Sequence, residues 1–323
     1  MNAKLVSLLV IAAILIALPL FGVGYVARVT TIFMIYLISV MGLNVIIGYT
    51  GQGSLAQGAF FGLGAYTTAL LMLSGNSFWF SLVAAIILVA IVSCAIGLMT
   101  LRLRGAYFAI ATLLFNVIIY EIVDKWDEVT RGPRGLFGIP SPSIQFSDFT
   151  FEFQGISFYY LVVAFLAVMF LLYHRIVRSS FGSIIVSIRE NDLIAEYSGI
   201  NITKFKVASF VLSAIFASVA GSLYAVYLGT IFPEVTHYVY SFSFLTAAIL
   251  GGLGTLAGPF IGTLVITIIN EAFFSFAQYT VLIQGIVLIL VILYMPRGVM
   301  GSYYSRRRAK GKSLPRSAIT GKL

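Results

Sequence analysis

The side chains able to do chemistry are few. Two histidines, His174 and His237, and one cysteine, Cys94, are the soft-ligand inventory of a 323-residue chain. Cys94 lies inside an apolar run, so no internal disulfide and no cysteine-built metal site can form, and it reads as a small buried apolar residue. The histidines fall on opposite sides of the membrane once the spans below are placed, which excludes a histidine metal site or a Ser/His/Asp triad within one chain. Gly311-Lys312-Ser313 ends like a phosphate loop, but the position of the opening glycine holds Arg306 and no strand precedes it. Gly252, Gly254 and Gly258 fail the dinucleotide spacing too. The expectation is a non-catalytic chain with no metal or cofactor of its own; if ATP drives it, another chain hydrolyses the ATP.

What remains is the chemistry of a solute path. Asn44, Gln52, Gln57, Asn116, Glu121, Asn270 and Glu271 stand in or near apolar runs, where polar groups are costly and mark interfaces or pathways. Glu121 and Glu271 lie toward the outer ends of their runs, which suits interface positions, paired or snorkelling, and leaves a pathway role open. Two glycine-rich stretches accompany them. One holds Gly48, Gly51, Gln52, Gly53, Ser54, Gln57 and Gly58; the other holds Gly251, Gly252, Gly254 and Gly258. Gly53-Ser54-Leu55-Ala56 with Gly58, Phe60 and Gly62 matches Gly254-Thr255-Leu256-Ala257 with Gly258, Phe260 and Gly262, offset by the extra Gln57. Glycine in lipid permits broken or re-entrant helices that line a cavity, and transporters with internal repeats place such breaks at matching points. Ordinary close helix packing would use the same residues.

The elements that must position these groups follow from composition. Hydrophobic residues make up 60% of the chain, charged residues 10%, and mean hydropathy is +1.03. A soluble surface needs more charge than that, so lipid is the main solvent. Continuous apolar runs at 5–22, 31–47, 59–73, 79–99, 105–123, 158–173, 207–228, 240–251, 259–276 and 280–295 predict an all-α polytopic membrane protein of about ten transmembrane helices, and make strands unlikely. Leu5–Gly22 is too long for a signal-peptide core and lacks a clean cleavage site, so it reads as a retained first helix.

Charge orients the spans. With both termini cytoplasmic, all of the 20 Lys and Arg except Arg28, Lys125, Arg131 and Arg134 fall inside, as the positive-inside rule requires. The net charge of +9 is thus a topology signal rather than a nucleic-acid surface. An outer loop at about 124–157 and an inner loop at about 174–206 stand out by length. The inner one is amphipathic at helical spacing, with Ile184, Ile185, Ile188 and Leu193 on one side, Arg189, Glu190 and Asp192 on another, and Gly182 and Gly199 as breakers. Residues 298–323 form a basic cytoplasmic tail, expected to be disordered near anionic headgroups.

The assembled motifs resemble a known family. GLNVIIGYTGQGSLAQGAFFGLGAY at 42–66, LRLRGAYFAIATL at 101–113, RGPRGLFGIP at 131–140, the inner segment 179–225, ILGGLGTLAGPFIGT at 249–263 and YMPRGVMG at 294–301 are similar, in order, to segments of the permease subunits of branched-chain amino-acid ABC importers, the LivM type. The resemblance implies a multi-pass cell-membrane protein whose residues 1–297 form a transmembrane permease domain. Its partners would be a second permease of the LivH type, two cytoplasmic ATP-binding subunits carrying ATP and Mg, and an outer substrate-binding protein. Leucine, isoleucine and valine would be the cargo. The alternatives are an ABC permease for urea, amides, other amino acids or sugars, and more remotely a secondary transporter or channel. The resemblance also implies that the inner loop couples to the ATPase through Arg189, Glu190, Asp192, Ala195 and Gly199. AEYSGI departs from the tightest form of that coupling motif.

Overall fold

A computed structural model describes residues 24–100, 103, 105–146, 149–273, 279–294 and 298–302. The expected first helix at 5–22, most of the basic tail, Arg102, Arg104 and Arg297 lie outside the described residues. Within them the chain is mainly helical. The helices are α1 (Gly24–Leu43, continued by a π-helical stretch Asn44–Tyr49), α2 (Gln57–Leu73), α3 (Phe78–Thr100), α4 (Ala106–Lys125), a short α5 (Asp127–Thr130), α6 (Ile156–Arg178), α7 (Ser180–Glu190), α8 (Asp192–Tyr197), α9 (Ile202–Leu228), α10 (Tyr238–Gly251), α11 (Gly258–Ala272) and α12 (Thr280–Tyr294).

Among the described residues five segments are long and apolar enough to cross a membrane: Gly24–Tyr49, Phe78–Thr100, Ala106–Lys125, Ile156–Arg178 and Ile202–Leu228. At 1.5 Å per residue, the 14 residues of α10 reach only about 21 Å, short of a ~30 Å hydrocarbon core. The short helices α2, α10 and α11 are those that begin or end at the glycine-rich stretches, so the breaks themselves shorten them.

α1 and α9 form the centre. In their apolar windows 83% and 72% of residues are buried, against 28% in α3 and 33% in α4, whose outward Ile87, Ile91, Leu114 and Ile118 offer an apolar surface suited to lipid. Hydrocarbon gives no hydrophobic push between helices, so close backbone contact and polar bonds must hold them. α9 carries small residues for that purpose. A Cβ on Gly221 would lie 1.8 Å from the Phe61 carbonyl oxygen, and Thr68 Oγ1 donates to Ser222 Oγ at 2.7 Å, locking α2 to α9. Toward one end of this contact Tyr36, Phe61, Tyr224 and Phe244 pack ring against ring, with Phe61 centred 5.3 Å from Tyr224.

Two elements depart from the sequence reading. Among the described residues the apolar runs contain no strands, but the outer loop does: β1 (Leu136–Phe137) pairs antiparallel with β4 (Thr230–Ile231), and β2 (Ser143–Phe146) pairs with β3 (Phe149–Glu152), in register Ser143 to Glu152. β1 and β4 tie the loop after α4 to the loop after α9, a long-range pairing that leaves no periodic signal in so short a segment. The inner amphipathic helix is also two helices. Asn191 adopts an extended backbone between them and its Oδ1 accepts from the Leu193 and Ile194 N–H groups, so it caps α8 and stops α7. Gly182 is not a breaker; it sits inside α7, where a Cβ would lie 2.2 Å from the Val177 carbonyl.

Gly221→Ala is therefore expected to force α2 and α9 apart, at about 1–3 kcal/mol for overpacking. The purified protein should unfold several degrees lower in a thermal scan. Gly285→Ala, where nothing stands within 4 Å of the new Cβ, should leave the transition unchanged or raise it.

Candidate functional site

The two glycine-rich stretches form paired joints. At the first, α1 loosens into the π-helical turn, Thr50 N–H donates to Val45 O at 3.1 Å, and Gln52 N–H to Ile46 O at 3.0 Å. Residues 51–56 then run without helix, Gly51 taking φ +77°, and α2 restarts behind Ala56. At the second, α10 stops at Gly251, Gly252 and Gly254 take φ +111° and +69°, and α11 restarts behind Ala257. Ala56 (φ −88°, ψ 0°) and Ala257 (φ −90°, ψ −9°) share position and conformation, so the short sequence repeat is a repeat of structure.

Alanine cannot cap a helix with its side chain, so the exposed backbone groups take partners from elsewhere. Gly58 N–H, in the first turn of α2, donates to Ser241 Oγ of α10 at 2.7 Å. Asn116 of α4 donates to the same Ser241 Oγ at 2.6 Å and to Leu55 O at 3.1 Å, while Thr112 Oγ1 accepts from Leu55 N–H at 3.0 Å. Asn116 Oδ1 is buried without a partner among the described residues. Ser54 Oγ accepts from Ala56 N–H at 3.3 Å. Gln57 Nε2 donates to Ser39 O at 2.8 Å on α1, and its Oε1 accepts from Ser213 Oγ at 3.0 Å on α9.

The second joint is held by Asn44. Its Oδ1 accepts from Gly254 N–H at 2.9 Å, and its Nδ2 donates to Thr255 O at 3.0 Å and Tyr173 Oη at 2.7 Å. The bonding is reciprocal: the helix before each joint supplies the side chain that satisfies the other. A Cβ on Gly48 would meet Asn44 Oδ1 at 2.1 Å and Gly254 N at 2.4 Å, so only glycine lets the joints touch.

The inner-loop candidates separate in space. Arg189, in the last turn of α7, donates through Nη1 to the Gly48 carbonyl. Asp192 Oδ2 accepts from Lys206 Nζ at 2.7 Å, fixing α8 against the first turns of α9, and the Lys206 side chain is 8% exposed. Ala195 is buried, Glu190 exposed, and Gly199 takes φ +79° in the turn closing α8. Leu193, which the helical spacing places on the packed side, is exposed together with Ile194 and Tyr197, because the break at Asn191 resets the helical phase.

Asn44, Gly48, Gly51, Gly254 and Arg189 thus form one cluster; Ser54, Gln57, Gly58 and Asn116 form another around Ser241. Gly251, Gly252 and Gly258 make the tight α10–α11 corner, while Gly53 is exposed and Gln52 half-buried. Glu121 and Glu271 join neither cluster. Glu121 pairs with Lys125 at 2.5 Å on the surface of α4, and Glu271 accepts from the Tyr25 hydroxyl. Sequence reasoning missed Tyr173, Thr112, Ser213 and Ser241. Ser241 and Ser243, polar within SFSFL, gave the one available signal. Among the described residues no three His, Cys, Asp or Glu side chains gather as a metal set. Chemically, the joints place main-chain N–H and C=O groups and neutral amides inside an apolar bundle, a surface for passing a polar solute rather than for breaking bonds.

Comparison with known proteins gives this architecture a family. Residues 25–292 match the profile described as branched-chain amino acid transport system / permease component. The chain is 32% identical over 317 residues to the high-affinity branched-chain amino acid transport system permease protein LivM of Salmonella typhimurium, covering 92% of this chain and 74% of that protein. The Escherichia coli K12 LivM protein is similar to the same extent. The LivH permease of Salmonella typhimurium is 27% identical, across 82% of this chain and 91% of its own. No solved structure matches significantly. A profile match over most of the chain, with LivM relatives above 30% identity, shows that the chain belongs to the branched-chain amino acid transport system permease family.

Proposed function

We propose that this permease forms one half of the pore of an ATP-driven importer that carries leucine, isoleucine and valine into the cytoplasm. The observation that carries the reading is the family match from residue 25 to residue 292, which takes in both joints and the inner loop. Relatives of both the LivM and the LivH type fit a pore built from two permeases, this chain being one. The protein is a multi-pass protein of the cell membrane.

The finer reading has ten spans, the first at 5–22, with both termini cytoplasmic and residues 298–323 as a basic tail. It is supported by the described helices after residue 24 and by the inner placement of most Lys and Arg. In this orientation α7 and α8 face the cytoplasm. Two ATP-binding subunits, holding ATP and Mg, would dock there, and the exposed Leu193, Ile194 and Tyr197 of α8 suit an apolar contact beside Glu190. The β-structured outer loop faces a substrate-binding protein that delivers cargo. The chain itself is non-catalytic, and Gly48, Gly51, Gly53, Gly58, Gly251, Gly252, Gly254 and Gly258, with Gln52, Ser54 and Gln57, border or brace the path.

Purification of the tagged chain from its native membrane should bring down ATP-binding subunits; a lone chain that accumulates solute in vesicles would defeat the importer reading. In a deletion strain, uptake of labelled leucine, isoleucine and valine should fall while urea uptake does not, and the reverse pattern would reassign the cargo. Asn44→Ala strands Gly254 N–H and leaves Thr255 O with only the longer bond from Tyr173 Oη at 3.3 Å, an expected loss of about 1–3 kcal/mol for the unmet group. Leucine uptake should drop several-fold in that variant. Glu121→Gln, which breaks only an exposed pair, should transport at the normal rate.

A further inference from the structure

We propose that Arg189 acts inward, as a pin that clamps the two glycine joints together, and that its withdrawal is how movement of the inner loop reaches the path. This rests on the importer reading above and adds a positioning residue to it. Three observations converge on the guanidinium. Its Nη1 donates to the Gly48 carbonyl, at the loosened end of α1. A Cβ on Gly51 would lie 2.9 Å from Arg189 Cγ, and a Cβ on Gly254 would lie 2.7 Å from Nη1. Arg189 and Gly51 are exposed, so the side chain lies in an open socket at the surface against the backbones of both joints, and a side chain at Gly51 or Gly254 would crowd it.

The socket suits a cation. Gly48 lies in the last turn of a helix, where carbonyls lack intrahelical partners and the helix dipole is negative. Arginine keeps its charge in such a place and its planar fork reaches more than one acceptor. Arg189 is also rigidly carried. It sits on α7, whose Ile185 and Ile188 are buried, and α8, next in the chain, is fixed to α9 by the Asp192–Lys206 pair. A rotation of α7 by a partner would therefore move the guanidinium out of the socket and leave Gly48 O, Gly51 and Gly254 free to part. Asn44, bonded to Gly254 and Thr255 from the other side, and Ser241, bonded to Gly58, would remain as polar ties between the joints.

The test uses the whole purified complex in proteoliposomes, reading ATP hydrolysis and leucine uptake separately. Arg189→Gln should keep its ATP-binding subunits and hydrolyse ATP, with leucine carried per ATP lowered about tenfold, the scale of a typical coupling between sites. Arg189→Lys, which keeps the charge but not the fork, should recover part of the loss. Unchanged leucine per ATP in Arg189→Gln overturns the proposal. So does loss of the ATP-binding subunits from that variant, because Arg189 would then be a docking residue. Should Arg189→Gln fail to accumulate, Gly51→Ala decides, because it keeps the arginine and sets a Cβ 2.9 Å from its Cγ. Gly51→Ala should keep its ATP-binding subunits and hydrolyse ATP with less leucine carried per ATP, and unchanged leucine per ATP in that variant overturns the pin. If the wild-type chain purifies with no ATP-binding subunit, the importer reading fails, whereas retained subunits with unchanged leucine per ATP in Arg189→Gln overturn the pin alone.

Discussion

Hydrocarbon offers no partner to a peptide group, and the arrangement of this protein depends on that constraint. A continuous helix meets it alone. A helix broken by glycine does not, and each break uncovers N–H and C=O groups that cost several kcal/mol apiece in lipid. The chain meets this cost twice with neutral side chains sent from neighbouring helices. Asn44 serves the joint of residues 252–257, and Ser241, with Asn116 and Thr112, serves that of residues 51–56. Neutral amides and hydroxyls suit the task because they satisfy peptide groups without carrying a charge that would need its own counter-ion.

The constraint also explains the composition of α9. It runs against α1, α2 and α3, and near Ala217–Ser222 it is almost all small residues. Backbones held that close exclude lipid from the breaks, and this makes irregular backbone tolerable at such depth. Small-residue packing and broken helices are therefore not rival accounts of the glycines. Gly221 belongs to the first, Gly51 and Gly254 to the second, and the second depends on the first.

Much of this was legible in the sequence. The apolar runs after residue 30 located the described long helices, most of them within a few residues, although α1 begins at Gly24, seven residues before its run. The doubled Gly-[Ser/Thr]-Leu-Ala pattern falls on both joints; at the second its glycine, Gly254, takes positive φ, while at the first that conformation belongs to Gly51 just before the pattern. Side-chain partnership was less accessible. Asn44 reaches a segment about 200 positions away, and Tyr173 joins it from a third helix, so nothing near Asn44 announces the bond. The inner loop misled in another manner. Its hydrophobic periodicity is real through Ile188, but Asn191 both stops one helix and caps the next, which turned Leu193 outward, while Arg189, though exposed, reaches back to the Gly48 carbonyl. A charged residue at the end of an amphipathic helix reads as solvated; only the fold shows a carbonyl waiting for it.

The extra residue that separates the two repeats makes them mechanically unequal. Gln57 anchors the start of α2 to α1 and α9 with bonds from both ends of its amide. Nothing corresponds to it at the start of α11, where Gly258, the match of Gly58, follows Ala257 directly. The near-symmetry of the chain thus gives it two similar elbows fastened differently: the first by a side chain of its own, the second by an asparagine from outside and by the direct backbone contact of Gly251 with Gly258.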